Sequence, residues 1–218
     1  MSPPPVIAID GPAASGKGTL ARRLAAVYGF AHLDTGALYR AVGLLVLRAG
    51  GDPGDSGHAL AAARALAPDH PVLADPALRG EDVAHAASQV AALNAVREAL
   101  LDFQRSFAAH PPGGRGAVLD GRDIGTVVCP TAGAKLFVTA GVEVRADRRV
   151  KELRAAGLDA IVATVLEDMK ARDERDSRRA VAPLRPAVDA FVLDTSALDA
   201  DQAFATALVF IRSKIGPA

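Results

Sequence analysis

The sequence predicts an α/β fold in which a central parallel sheet of about five strands is covered by helices on both faces. Short β-branched runs alternate with longer stretches of helical periodicity, the pattern of successive strand–helix–strand units. Two of those runs end at Asp10 and Asp120, each followed by a glycine. Carboxylates therefore collect at the carboxyl ends of strands, where sheets of this class hold ligands. Half of the 218 residues are apolar, enough for a sizeable core. The length fits one domain, or one domain carrying a small insertion or lid.

Val6 to Asp10 reads as a buried strand meeting a loop at Gly11-Pro12. From Lys17 the pattern turns helical, with Leu20, Leu24, Val27 and Tyr28 on one stripe and Gly29 placed to end the helix. A brief strand at Ala31 to Leu33 leads to Asp34, a good N-cap for a helix running through Arg48. Residues 50–80 are dense in glycine and proline, from Gly50-Gly51 to Pro76 and Gly80, and read as an irregular insertion packed on the main body. A helical region resumes near Glu81, with Val96, Leu100, Phe103 and Phe107 on a stripe, and Pro111 to Gly116 is a loop. Val118 to Gly121 and Lys135 to Ala140 are further strands. Helical patterns cover 143–156 and 161–179, and a last strand, Ala190 to Thr195, precedes a last helix, Ala200 to Lys214.

Acidic and basic residues number 25 each. That balance speaks against a chain whose main business is coating nucleic acid or an anionic membrane. The basic set is uneven, twenty Arg to five Lys. A GC-rich genome would explain that number, though not the positions. The single cysteine, Cys129, excludes an intramolecular disulfide and reads as a packed thiol. Met1 to Pro5 carries no Lys or Arg, Asp10 stops the first apolar run, and nothing approaches the roughly 18 apolar residues of a membrane span. A cytoplasmic monomer is expected. None of the five histidines sits in metal-ligand spacing, and His32 reads as structural.

The most informative local pattern is Gly11-Pro12-Ala13-Ala14-Ser15-Gly16-Lys17-Gly18-Thr19, set between a strand and a helix. Glycines let backbone N–H groups turn inward on phosphate oxygens, and the helix N-terminus adds its partial positive charge. Lys17 is placed to reach the β/γ bridge of a nucleoside triphosphate. The general pattern has Ser or Thr directly after the Lys, whereas here Gly18 intervenes. Gly-Lys-Gly-Thr resembles the loop of small-molecule and nucleoside-monophosphate kinases. That implies phosphoryl transfer from ATP and makes Thr19 the hydroxyl near Mg²⁺.

Four further segments resemble bacterial cytidylate kinases: His32 to Arg40; Ala87 to Ala92 with Val96-Arg97-Glu98; Asp120 to Val128; and Arg172 to Leu184. With the phosphate loop, five blocks fall in that family's order from Ile9 to Leu184. The resemblance implies a three-layer P-loop fold of the nucleoside-monophosphate-kinase type. It would be a single domain over 1–218, with an acceptor-binding insertion at about 35–97 and an Arg-rich lid at about 145–180. The implied acceptor is CMP or dCMP. Thr35, Arg97 and Asp123 would surround the cytosine; Ser88, Arg172 and Asp176 would contact the sugar; Arg40, Arg122 and Arg179 would hold the α-phosphate. Arg172 and Arg175 would also close on the phosphates, so the catalytic set is Lys17, Arg122, Arg172, Arg175 and Arg179.

Elementary chemistry supports the base assignment. An Arg can donate to O2 and N3 of cytosine, and a carboxylate accepts from its amino group, whereas uracil turns a carbonyl toward that carboxylate. Taken alone, Arg97 and Asp123 serve equally well as a structural ion pair. Similarly, at about 100° per residue Arg172, Arg175, Asp176 and Arg179 share about a third of a helix circumference. They continue the stripe of Val162, Val165, Leu166 and Met169. Cations on an inward face need anionic partners, which substrate phosphates supply. The other reading is a solvated helix laced with i,i+4 ion pairs. Interleaved Glu167, Asp168, Asp173 and Glu174, with no aromatics, speak against nucleic acid.

The expected mechanism is in-line transfer between two bound nucleotides, by positioning and electrostatics, with no general base. Two rivals stand beside it: a kinase for another monophosphate, UMP foremost, and an ATP-binding regulatory module. One departure from the family pattern concerns the insertion. Gly80-Glu81-Asp82-Val83 runs almost directly into Ala84-His85-Ala86-Ala87-Ser88, where family members carry several more residues, including an Ile-Arg element.

Overall fold

Val6–Asp10 (β1) is the central strand of a five-stranded parallel sheet in the computed structural model, which describes residues 3–217. On one side it pairs with Ala117–Gly121 (β3), which pairs in turn with Ala31–Asp34 (β2). On the other side lie Ala134–Thr139 (β4) and Phe191–Asp194 (β5), giving the order β2-β3-β1-β4-β5. Successive side chains of a strand point to opposite faces. Ile7 and Ile9 accordingly join Leu24 of Lys17–Tyr28 (α1) and Ile211 of Ala200–Ile215 (α8) in one layer. Ala8 and Leu119 join Ala108 of Asn94–Ala109 (α5) in the other. The strand at the centre is therefore buried on both faces, as its continuous apolar run requires.

Local chemistry sets the helix ends nearest the site. Gly29 adopts φ 62° and closes α1, with its own N–H donating to the Ala26 carbonyl and that of Phe30 to Ala25. Asp34 caps Thr35–Arg48 (α2), its carboxylate accepting from the Ala37 N–H at 3.1 Å.

Two further cores lie outside the sheet. The first is built around Leu38, Val42, Val83, Val96 and Leu100 by α2, Ser56–Ala65 (α3), Glu81–Val90 (α4) and α5. The second is small: Ala146, Val150 and Leu153 of Val142–Ala155 (α6) meet Val165 and Met169 of Val162–Ser177 (α7). Ala13 and Ala14 of the phosphate loop pack against it. The apolar contacts that join these two helices are few. Among the described residues no helix is long and apolar enough to cross a membrane.

Several sequence expectations are corrected. Residues 50–80 are not wholly irregular: α3 occupies 56–65, with Asp55 accepting from the His58 N–H at 2.9 Å as its cap, and two short 3₁₀ turns, Pro71–Ala74 and Pro76–Arg79, follow. The helical region from Glu81 is two helices, because Leu93 takes an extended conformation. Val27 lies off the buried stripe at 43% exposed, and Val162 is 44% exposed. Helix α7 ends at Ser177, so Arg179 reaches the site from the segment beyond the helix and not from its face. Ile124–Val128 forms one π-helical turn after β3, which no local pattern announced.

Candidate active site

The carboxyl ends of β1, β2 and β3 point at one cleft. Gly11 opens the phosphate loop where a Cβ would stand 2.0 Å from the Val138 carbonyl oxygen, at φ 153°, so no other residue fits. Three residues on, Ala14 is held at φ 55°, a left-handed conformation that a non-glycine residue adopts at a cost. Lys17 Nζ donates to the Pro12 carbonyl at 3.1 Å. Burial, then Arg122 and Arg172, hold its pKa down to about 7, against partial opposition from Asp120 and Asp34. A lysine surrounded by arginines lacks the anion that would restore its charge. The Ser15 hydroxyl, fully buried, has no hydrogen-bond partner.

Asp120, at the end of β3, is buried and accepts from His32 Nε2 at 2.7 Å. Its Oδ1 lies 3.9 Å from where a Cβ on Gly18 would stand, so a carboxylate flanks the phosphate loop at the position after Lys17. Thr19 is exposed, and its Oγ1 accepts from Arg22 at 3.4 Å. Mg²⁺ in kinase sites takes one or two carboxylates and relies on substrate phosphates and water for the rest. Asp120 beside the loop fits that requirement, and in this structure the Thr19 hydroxyl is held by Arg22. Asp120 was noted in the sequence only as a strand end, and its place beside the phosphate-loop strand is the signal that marks it.

The acceptor half is lined by paired charges. Arg97 of α5 donates to Asp123, both under 9% exposed, and they wall a cavity of about 70 Å³ together with Tyr39, Gln104, Leu101 and Ala182. Tyr39 lies under the guanidinium, 5.7 Å from ring centroid to Arg97 Cζ, and is a site residue the sequence reading missed. Thr35 donates its hydroxyl proton to the Asp120 carbonyl at 2.8 Å, so it can offer a ligand only an acceptor.

Asp176 is 2% exposed and receives Arg122 Nε at 3.0 Å and the Arg179 guanidinium. Burial would raise its pKa, but Arg122, Arg179 and Arg172 outweigh that and hold it below the usual carboxylate range. The same balance acts on Asp34, where burial is offset by Arg40, which donates to it at 2.7 Å, and by Lys17. Arg172 has no such partner. Its Nε is buried without a hydrogen bond, and burial, then Arg122, pushes its pKa down to about 10. Ser88 Oγ in α4 is likewise buried and unpartnered. Ser88 and Arg97 are nine residues apart, so in one unbroken helix they would face about 180° apart; the break before α5 removes that conflict.

The structure thus gathers Lys17, Arg122, Arg172, Asp176 and Arg179 into one charged cluster, with Arg97 and Asp123 beside it. Arg40 is paired with Asp34 at 2.7 Å, and Arg175 is exposed. Two arginines that sequence reasoning missed anchor the α6–α7 hairpin. Arg145 Nε donates to the Ala140 carbonyl at 2.8 Å, its Nη atoms grip Asp173 at 2.5 and 3.2 Å, and it reaches the Ala13 carbonyl at 3.3 Å. Arg148 donates to both Thr195 oxygens, at 2.7 and 3.0 Å. Cys129 is buried and burial pushes its thiol up to about 11, a packed side chain with no part in the cleft.

A family model described as cytidylate kinase matches residues 7–213. A cytidylate kinase of Paramagnetospirillum magneticum is 68% identical over 209 residues, covering 96% of this chain and 98% of its own length. Another from Rhodospirillum rubrum is 61% identical over 210 residues, with the same coverage. Among solved structures, an uncharacterized protein from Eubacterium ventriosum aligns over 96% of this chain and 99% of its own, with a TM-score of 0.53 and 16% identity, a likeness of fold.

Proposed function

The chain belongs to the cytidylate kinase family, and we propose that its cleft transfers the γ-phosphate of ATP to CMP or dCMP, giving ADP and CDP or dCDP. One observation carries the assignment of residues. Among the described residues the buried side-chain polar atoms without partners are Ser15 Oγ, Ser88 Oγ and Arg172 Nε. One belongs to the donor loop and two to the acceptor half. An unpaired buried polar group costs roughly 1–3 kcal/mol. Three such costs in one cleft are the mark of a site completed by its ligands.

The donor triphosphate lies on the loop Gly11–Thr19, where backbone N–H groups and Lys17 take its oxygens. The acceptor base enters against Arg97 and Asp123, with Tyr39 under the guanidinium. The Thr35 hydroxyl, able only to accept there, suits the amino group of cytosine and not the carbonyl of uracil. Ser88, Arg172 and Asp176 take the sugar. Arg40, Arg122 and Arg179 hold the acceptor phosphate, whose anionic oxygen attacks in line, so no general base is required. Arg122 and Arg172 neutralise the migrating group, and the spare donor of Arg172 is the one that gains most from it. Thr19 and Asp120 are the residues that would hold Mg²⁺, which supplies charge neutralisation to the donor phosphates when bound. The α6–α7 hairpin, tied to the loop through Arg145, excludes water and brings Arg175 inward on closure. The protein works as a cytoplasmic monomer.

Initial rates with CMP, dCMP, UMP and AMP, measured side by side, test this. CMP and dCMP are expected to lead. Equal or faster transfer to UMP would defeat the base-recognition scheme, and the absence of ADP formation on adding CMP would favour an ATP-binding regulatory module.

A further inference from the structure

A buried carboxylate that this mechanism leaves unused is Asp10. It is 3% exposed at the end of β1, directly before the first glycine of the phosphate loop. Both of its oxygens are committed to backbone donors of another element: Oδ1 accepts from the Ile124 N–H at 2.7 Å, and Oδ2 from the Gly125 N–H at 2.8 Å. Those N–H groups open the π-turn Ile124–Val128, and the first donors of a helical turn have no partner within it. The two residues that precede the turn are Arg122 and Asp123.

The strand register makes this reach possible. Asp10 lies opposite Gly121 in the parallel pair β1–β3, so the chain leaving β3 passes in front of the Asp10 carboxylate. Gly125 is also hemmed in from behind, since a Cβ there would meet the Lys135 side chain at 3.2 Å and Asp10 Oδ2 at 3.4 Å. The turn closes with its own bonds, Cys129 N–H to the Ile124 carbonyl at 2.7 Å and Val127 N–H to the Asp123 carbonyl at 2.9 Å, and the Asp10 carboxylate holds the two N–H groups that open it.

We propose that Asp10 is a positioning residue that fixes the Arg122-Asp123 pair relative to the phosphate loop, and so sets the alignment of acceptor on donor. The inference rests on the functional reading above for what is being aligned. A carboxylate is required because two parallel N–H donors need two acceptor oxygens; an amide would present its own N–H₂ to one of them. Burial drives the Asp10 pKa up to about 7, with the two backbone donors and Arg122 opposing and Asp123 adding to the rise. A buried carboxylate is a costly way to hold a turn if any acceptor would serve.

The test is Asp10→Asn. Misplacement of reacting groups by about an ångström costs about 100-fold in transfer rate, and a loss of that order in kcat/KM for CMP is expected. KM for CMP should rise and the CMP-over-UMP preference should narrow, while the dissociation constant of ADP, measured without acceptor, stays within about threefold. Unchanged CMP kinetics, or equal weakening of both ligands, would overturn the proposal. Because the variant can fail to fold, amide hydrogen exchange on the wild-type protein supplies a second arm. The Ile124 and Gly125 amides are expected to exchange with the slow amides of β1 and β3, with or without CMP. Exchange as fast as exposed loops would overturn the clamp. Wild-type protein inactive on CMP would sink the functional reading, and the exchange arm would still judge Asp10.

Discussion

Asp123→Asn removes one charge and almost no volume from the base pocket, which makes it the sharpest probe of acceptor choice. Asp123 is 5% exposed and bonded to Arg97, itself 8% exposed, so little water can replace what the substitution takes away. A hydrogen bond to a charged group is worth about 1.5–3 kcal/mol, and its loss from the cytosine amino group lowers kcat/KM for CMP by about 10- to 150-fold. The amide can turn its N–H₂ toward a carbonyl, so UMP should be used as well as before or a few times better. The CMP-to-UMP ratio of kcat/KM, measured with saturating ATP, is therefore the quantity to follow. Losing the partner of a buried cation also destabilises the fold, and a parallel urea melt separates that effect from recognition. If CMP and UMP rates fell by the same factor in a folded variant, the pair would be structural and the recognition argument wrong.

Arg172→Met should separate stability from activity. The drop of its pKa from 12.5 to about 10 corresponds to about 3 kcal/mol of burial and like-charge penalty, so the variant should melt higher while transfer falls about 100-fold or more. A lower melting temperature would refute it. Lys17, held near pKa 7, must be protonated to hold phosphate, so nucleotide binding takes up a proton above pH 7 and affinity falls as pH rises. Calorimetry at pH 8 in buffers of different ionisation enthalpy should report net proton uptake on nucleotide binding, and uptake near zero would contradict the assignment. Gly11→Ala drives a Cβ into the Val138 carbonyl at 2.0 Å and should cost at least about 1–3 kcal/mol in a denaturant melt along with nucleotide binding.

What the sequence disclosed was what local chemistry decides. The apolar run into Asp10, the turn at Gly29 and the cap at Asp34 each write their own structure over a few residues, and all are found. The phosphate loop is legible for the same reason. Arg97 and Asp123 are 26 residues apart, and their pairing rested on motif resemblance, since no periodicity relates them. The departures come where distant groups decide. Helix α3 was hidden by flanking glycine and proline although Asp55 and the alanines after it favour a helix. The break at Leu93 has no glycine or proline to announce it. The π-turn at 124–128 is opened by a carboxylate 114 residues earlier in the chain. Arg145 and Arg148 look in sequence like any helical cations; only the folded chain shows them gripping the phosphate loop and Thr195.

Phosphorus NMR of the purified protein with Mg-ATP and CMP measures the central claim most directly. Resonances of ADP and CDP should grow together in equal amounts while ATP and CMP decline, with little orthophosphate. ATP that persists beside CMP, or that is lost to orthophosphate with no CDP formed, would contradict a cleft built to join two nucleotide phosphates.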